Sequence, residues 1–453
     1  TTSVLWRTHA GPEATRPAMI RTIHLLTTLC TAVATFAAAT PAPPRATDRP
    51  NIILFLADDV GIETLQAYGG SSWKTPHLDR LADEGILFEN AFVTTSLCSP
   101  SRASFLTGQY AHTHGVVTNH TPWDNRNVTF LEQLSAAGYE TAFIGKWHMG
   151  GQRNVADAPE ISEYGFDQSL TNFEGMGPKL LPLTLKPGQD PKKPGRLWAD
   201  AYRLGKGARW VQRSKITEGF VDGAIPFIKK AKQENKPFYI NLWPDDVHTP
   251  FWPPVEQWKD GSKRQLFLSV LEEMDRQLGK LFDHVRNNPD LADNTLILAC
   301  SDNGPEKGAG VAGPFRGFKT HLYEGGIRSS LVAWAPKLMN KEVQGTINKK
   351  SIFSAIDLVP TLLEITKTPK HANFDGESLP DVLLGKSNLS RKQDLLFRRP
   401  PDRDSFYGVE DLPDLAIRSG KWKLLCEYDG SDPSLYDLTK DRGEKNNLAA
   451  EHL

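Results

Sequence analysis

The 453-residue sequence predicts an α/β fold: a doubly wound sheet with helices on both faces, plus a small C-terminal antiparallel-sheet subdomain. Three observations predict it. Residues 51–57 (Asn-Ile-Ile-Leu-Phe-Leu-Ala) form a continuous apolar run, the mark of a strand buried on both faces of a parallel sheet. Apolar runs recur at 139–144, 238–243, 295–300 and 331–335, alternating with segments whose apolar residues have helical spacing. Four of the runs end in polar residues: Asp58-Asp59, Lys146-Trp147-His148, Asp245-Asp246-Val247-His248 and Ser301-Asp302-Asn303-Gly304. Open α/β sheets place ligands at that end of the strands.

The elements follow in order. Met19 and Arg21 open a short basic segment, Leu25 to Ala39 is apolar and rich in small residues, and Pro43-Pro44 follows. That is the order of a secretory signal peptide, too short for a bilayer span. Residues 1–47 are therefore expected to be leader, with 19–42 as the signal core and 1–18 upstream of the start. The product is expected to be exported, to a periplasmic, extracellular or lysosome-like compartment. Thr75 caps and Pro76 opens a helix that Gly85 stops, and 86–93 is a strand. Residues 97–108 read as a loop entering a helix, with Cys98 at its N-terminal mouth, Pro100 in its first turn and Gly108 at its end. Residues 130–137 form a helix ending at Gly138. Leu266, Val270, Met274, Leu278, Leu281 and Val285 mark a long amphipathic helix. From about residue 371 the texture changes to short runs, 416–418, 422–426 and 435–438, with a turn at Ser419-Gly420.

Composition narrows the field. The hydrophobic fraction of 39% and charged fraction of 24% are those of a globular protein. A net charge of −1 gives no drive toward nucleic acid or a membrane surface, so neither is expected as a partner. Beyond the leader no segment is long and apolar enough for stable membrane insertion. Of the four cysteines, Cys30 lies in the leader, so Cys98, Cys300 and Cys426 supply no disulfide framework. Residues 308–313 fit Gly-x-Gly-x-x-Gly, but Pro314 follows and no βαβ unit surrounds them. They read as a mobile loop near the site rather than a nucleotide cradle. Basic residues outnumber acidic ones over 179–215, and Trp198, Trp243, Trp252 and Trp258 are available to stack on sugars or to pack the core. The Gly-x-Ser-x-Gly elbow of serine hydrolases does not occur.

The strand ends together offer Asp58, Asp59, Asp302 and Asn303. An all-oxygen set suits a hard cation such as Ca²⁺ or Mg²⁺ rather than zinc. Clustered carboxylates repel one another, and a divalent ion keeps them ionised. Either pair alone reads as a cap or a turn. The helix mouth at Cys98 carries partial positive charge and unpaired N–H groups, and Arg102 adds a forked cation, so this end suits an anion.

Cys98-Ser99-Pro100-Ser101-Arg102, followed by Leu106-Thr107-Gly108, resembles the signature of the type I, formylglycine-dependent sulfatases, in the texture of their arylsulfatase A and N-acetylgalactosamine-6-sulfatase group. Gly145-Lys146-Trp147-His148, Val247-His248-Thr249-Pro250, and Gly317-Phe318-Lys319 before Glu324-Gly325-Gly326-Ile327-Arg328 extend the resemblance, as does Tyr436-Asp437-Leu438 near the C-terminus. It implies an alkaline-phosphatase-like mixed sheet, a catalytic domain over 48–370 and a C-terminal α+β subdomain over 371–453. It implies that a maturation enzyme converts Cys98 to formylglycine, and that Asp58, Asp59, Asp302, Asn303 and the modified Cys98 hold one calcium ion. Lys146, His248 and Lys319 would contact sulfate, Arg102 would steady the formylglycine, and His148 would take a proton from its hydrate. The implied activity is sulfate ester hydrolysis on a sulfated carbohydrate or aryl sulfate. A loose transition state with charge building on the leaving oxygen needs cations at the non-bridging oxygens and a proton donor at the bridging one. Two alternatives stand beside it. A phosphomonoesterase or phosphodiesterase of the alkaline phosphatase superfamily would want Ser or Thr where Cys98 stands. A non-catalytic glycan-binding protein would result if Cys98 were never converted.

Overall fold

The computed structural model describes residues 49–452 apart from 65, 71–73, 120, 125–128, 152–156, 200, 202–206, 372 and 401–411; the expected leader and signal segment lies outside them. Among the described residues fifteen strands form two sheets. They are β1 (Asn51–Ala57), β2 (Ile86–Phe92), β3 (Glu140–Gly145), β4 (Gln168–Thr171), β5 (Lys179–Thr184), β6 (Gly195–Arg196), β7 (Ala208–Gln212), β8 (Phe238–Trp243), β9 (Thr295–Ser301), β10 (Leu331–Trp334), β11 (Thr346–Ser354), β12 (Leu395–Arg398), β13 (Leu415–Ser419), β14 (Trp422–Cys426) and β15 (Ser434–Asp437). The main sheet is ordered β11-β2-β10-β9-β1-β8-β3-β4-β5-β6, with β7 also pairing β5. Its centre, from β9 through β1, β8 and β3 to β4, is parallel. β10 runs antiparallel to both β9 and β2, so the sheet is mixed.

The unbroken apolar run of β1 has a direct cause. Ile52, Leu54 and Leu56 enter one core, and Ile53, Phe55 and Ala57 enter the other. Helices Cys98–Thr107, Phe130–Ala136 and Ala355–Ile365 contribute to the first core. Helices Pro76–Glu84, Ile216–Gln233 and Lys263–Arg286 contribute to the second. A strand covered on both sides has no polar face to display.

Helix ends mostly follow the expected residues, with one borrowed cap. Pro76–Glu84 starts after Thr75, but the Thr75 hydroxyl donates to Asp79 instead of capping. Asp275, from the long helix, accepts the N–H groups of His77 (3.1 Å) and Leu78 (2.8 Å). Gly85 ends the helix at an ordinary φ of −118°; a Cβ there would stand 2.3 Å from the Ala333 carbonyl oxygen. The 308–313 segment is tied down rather than loose. Arg264 donates to Ala309 O (2.5 Å), Lys263 to Lys307 O (2.8 Å), and Val311 N–H to Glu63 (2.5 Å).

The second sheet is antiparallel, ordered β12-β13-β14-β15. A buried ion cluster fastens it to the segment behind Lys319. Glu324 accepts from Arg328 (2.7 Å), Lys423 (3.1 Å) and Arg418 (3.4 Å). Glu444 accepts the Glu324 N–H (2.7 Å) and pairs with Lys423 (2.8 Å). Burial alone would raise the Glu324 carboxyl, but Lys423, Arg418 and Arg328 together hold it well below the usual carboxylate range. Among the described residues no helix is long and apolar enough to cross a membrane.

Candidate active site

β9, β1, β8 and β3 lie side by side in one direction, so their C-terminal ends share one sheet edge. That edge carries Asp58-Asp59, Lys146 to His148, Asp245 to His248, and Asp302-Asn303. Asp58, Asp59, Asp302 and Asn303 are fully buried. Oxygens of the three aspartates lie within 4.8 Å of one another. The helix Cys98–Thr107 delivers Cys98 at its first position, with Sγ 3.7 Å from Asp58 Oδ1 and 3.8 Å from Asp59 Oδ1.

Three cations face the three carboxylates. Lys146 Nζ lies 2.7 Å from Asp58 Oδ2, and Lys319 Nζ lies 2.7 Å from Asp59 Oδ2. Arg102 Nη2 lies 2.7 Å from Asp302 Oδ2 and 3.3 Å from Asp58 Oδ1. Its Nη1 donates to the Lys146 carbonyl (2.9 Å), joining the cysteine helix to the end of β3. His248 Nε2 stands 3.6 Å from Asp59 Oδ2. His148 is buried, and its carbonyl accepts from the Ser99 hydroxyl, next to Cys98 in sequence. The residues that the sequence singles out for chemistry thus meet in one place.

Local backbone explains the meeting. Gly145 has φ +129°, and a Cβ there would come 2.1 Å from the Trp243 carbonyl oxygen. Only glycine lets the end of β3 press against β8 closely enough for Lys146 N–H to bond Trp243 O (2.8 Å). Asp59 and His148 both sit at φ +59°, a conformation that non-glycine residues keep only when their surroundings over-determine it. For Asp59 the restraint is visible: its N–H donates to Asp302 Oδ1 (3.2 Å), and its Oδ1 accepts from Asn303 Nδ2 (2.7 Å).

The electrostatics divide the groups. Burial would raise Asp58 and Asp59, but Lys146, His248, Arg102 and Lys319 around Asp58, and Lys319, His248 and Lys146 around Asp59, together outweigh it, and both carboxyls lie below their usual range. At Asp302 burial prevails over Arg102, and the carboxyl is pushed up to about 7. Burial, and then Lys146, depresses both His148 and His248, so these imidazoles are neutral near pH 7. Burial also pushes the Cys98 thiol up. A protonated thiol is a poor nucleophile and a poor metal ligand.

The residues present fit a hard divalent cation. The donors are three buried carboxylates and Asn303, whose Oδ1 is buried and meets no hydrogen-bond donor among the described residues. Its Nδ2 is already spent on Asp59 and Gly304 O. An orphaned amide oxygen beside an all-carboxylate cluster is what an oxygen-seeking ion would take up.

Several neighbours carry no site role in the sequence reading. Phe173 sets its ring 4.9 Å from that of His148 and 5.6 Å from Lys146 Nζ. Asn172 (2.5 Å) and Arg213 (2.6 Å) both donate to Asp245 Oδ1, three residues before His248. Asn172 and Phe173 follow β4, a four-residue strand with no apolar run to announce it. Trp243 is fully buried and packs the core.

The chain matches the family model described as "Sulfatase" over residues 50–368, and the one described as "N-sulphoglucosamine sulphohydrolase, C-terminal" over residues 314–452. An N-acetylgalactosamine-6-O-sulfatase of Bacteroides thetaiotaomicron is 29% identical over 490 residues, covering 89% of this chain and 90% of the relative. Arylsulfatase A of Homo sapiens is 29% identical over 455 residues, covering 88% and 83%. The solved structure of Ps i-CgsB in complex with k-i-k-neocarrahexaose matches with a TM-score of 0.73 at 26% identity, covering 89% of both chains.

Proposed function

The chain belongs to the sulfatase family of sulfuric ester hydrolases, and on that premise we propose that it cleaves sulfate esters of carbohydrates, using a formylglycine made from Cys98 beside a calcium ion. One observation carries the proposal: Cys98 Sγ lies 3.7 Å and 3.8 Å from the Asp58 and Asp59 carboxylates. As a buried, protonated thiol it has little reactivity of its own. A hydrated aldehyde at this position supplies one hydroxyl to attack sulfur and a second whose deprotonation releases sulfate. A calcium ion on Asp58, Asp59, Asp302 and Asn303 would supply positive charge at the sulfate oxygens.

The side chains around residue 98 divide the remaining work. Lys146 and Lys319 are paired with the carboxylates that a cation would engage, which would leave their ammonium groups for the sulfate. Arg102, buried against Asp302 and Asp58, steadies residue 98. His148, neutral through burial and the nearby Lys146, has the protonation state of a general base for the hydroxyl of residue 98. Lys319 or His248 protonates the leaving oxygen, and the depressed His248 gives that task to Lys319 at neutral pH. The names of the relatives and the sugar-bound neighbour support a sulfated carbohydrate as substrate. The signal-like pattern of residues 19–42 supports export.

The test is a rate comparison on 4-nitrophenyl sulfate and 4-nitrophenyl phosphate, with a mass measurement on the peptide containing residue 98. The expected result is preference for the sulfate and a peptide lighter than cysteine allows. A preference for phosphate would overturn the reaction class, and an active enzyme with intact Cys98 would overturn the nucleophile.

A further inference from the structure

Beside the sulfate-binding groups runs a path that the proposed chemistry does not use. Phe173 meets His148 edge-on, and Trp198 packs on Phe173 with ring centres 4.9 Å apart. Arg213 stands over Trp198, with its guanidinium carbon 5.7 Å from the ring centre. Trp198 holds φ +53°, so a bulky residue is fixed in a strained conformation at this rim. Arg213 also lines a groove of about 530 Å³, together with Trp252, Lys215 and Arg276. Trp252 is four residues beyond His248 on the same loop, a separation that spans at most ~14 Å of extended chain. Aromatic and cationic side chains therefore lead without a break from His148 to the groove.

We propose that this groove holds the sugar adjoining the sulfated one, so that the enzyme grips at least two units of an anionic glycan. The proposal rests on the sulfatase reading above and adds where the rest of the substrate lies. A pyranose offers a C–H face to an aromatic ring and hydroxyls to polar neighbours, and the groove supplies both. Trp258 buttresses Trp252 edge-on at 5.9 Å, and Lys186 stands 5.2 Å from the Trp252 ring centre. Arg213 and Arg276 are paired with Asp245 and Glu273. Lys186 and Lys215, set against Glu256, leave the surroundings net positive, which suits a sulfated or carboxylated neighbour.

Titration calorimetry on the full chain carrying Cys98→Ala, which prevents turnover, tests this with two series: chondroitin 6-sulfate and iota-carrageenan sugars, each as monosaccharide, disaccharide and tetrasaccharide. In at least one series the dissociation constant should fall at least tenfold from monosaccharide to oligosaccharide. Trp252→Ala or Arg276→Ala, each added to that background, should remove at least two-thirds of the gain, with melting temperature confirming the fold. Arg276 is largely exposed, so its loss leaves the core untouched even if Trp252→Ala disturbs folding. Affinity independent of chain length in both series, or a full gain retained in the folded variants, overturns the proposal. Failure of wild type on 4-nitrophenyl sulfate would instead overturn the parent reading.

Discussion

Asp58, Asp59 and Asp302 against Arg102, Lys146 and Lys319 make a knot of three acids and three bases, each at most 3% exposed. Each member therefore matters in a different way when removed. Cys98→Ala takes away no charge, so it should cost only a few degrees of melting temperature while lowering turnover by at least about a thousandfold. Wild-type activity in that variant would remove Cys98 from the mechanism. Asp302→Asn keeps an acceptor for Arg102 but removes a ligand charge, so calcium measured by mass spectrometry in the purified variant should drop well below that of wild type. An unchanged calcium content would strike Asp302 from the ligand set. At this scale the sequence is most readable, because Cys98 with Arg102, and Asp302 with Asn303, are fixed by short chemical patterns. Phe173 and Arg213 stay hidden, since a lone aromatic and one base in a basic stretch carry no pattern until a fold brings them to His148 and Asp245.

Among the elements, those with one dominant driving force were the legible ones. β1, β8 and β9 are buried on both faces and read as apolar runs, with Asn241 the one polar residue inside β8. The long helix Lys263–Arg286 shows its stripe plainly. Helix Ile216–Gln233 carries a stripe as well, at Ile216, Phe220, Ala224, Phe227 and Ala231, but Gly219, Gly223 and Pro226 speak against a helix through their low helical preference, and packing overrides that preference. β4, β6 and β7 are short and partly exposed, so neither alternation nor an apolar run marks them, and in the buried β5 Pro182 interrupts the apolar run. The cap that Asp275 lends to helix Pro76–Glu84 is invisible at nearly two hundred residues' separation. It also gives a pH prediction. Burial raises the Asp275 carboxyl to about 7, so its contribution to stability is complete below the unfolded pKa and is lost as pH rises through 7. Asp275→Asn should flatten the fall in stability between pH 5 and pH 8 by ~1–3 kcal/mol, read from urea midpoints at the two pH values. An identical slope in both proteins would count against the shift.

Over the whole molecule, the sequence foresaw a main sheet and a small second one but not how they are joined. Glu324 and Arg328 stand four residues apart, but Arg418, Lys423 and Glu444 come from a distant part of the chain, and no local signal links the two groups. Lys423→Met would leave two buried carboxylates facing each other and should destabilise the protein by ~3–5 kcal/mol. Because Glu324 is held below its ordinary range, the support it gives is present at neutral pH and disappears only as acid protonates it. A stability within about 1 kcal/mol of wild type, the scale of a substitution that breaks nothing, would show the joint to be passive. Finally, Cys98 has no exposed surface at all. If its Cβ is to become an aldehyde, with the sulfur lost and the carbon oxidised by an oxidant that the converting enzyme brings, the conversion has to happen while the polypeptide is still open, since closure seals the workbench. Chain made without its converting enzyme should therefore stay inert when that enzyme is supplied to the finished fold, and become active only when both meet during synthesis or refolding.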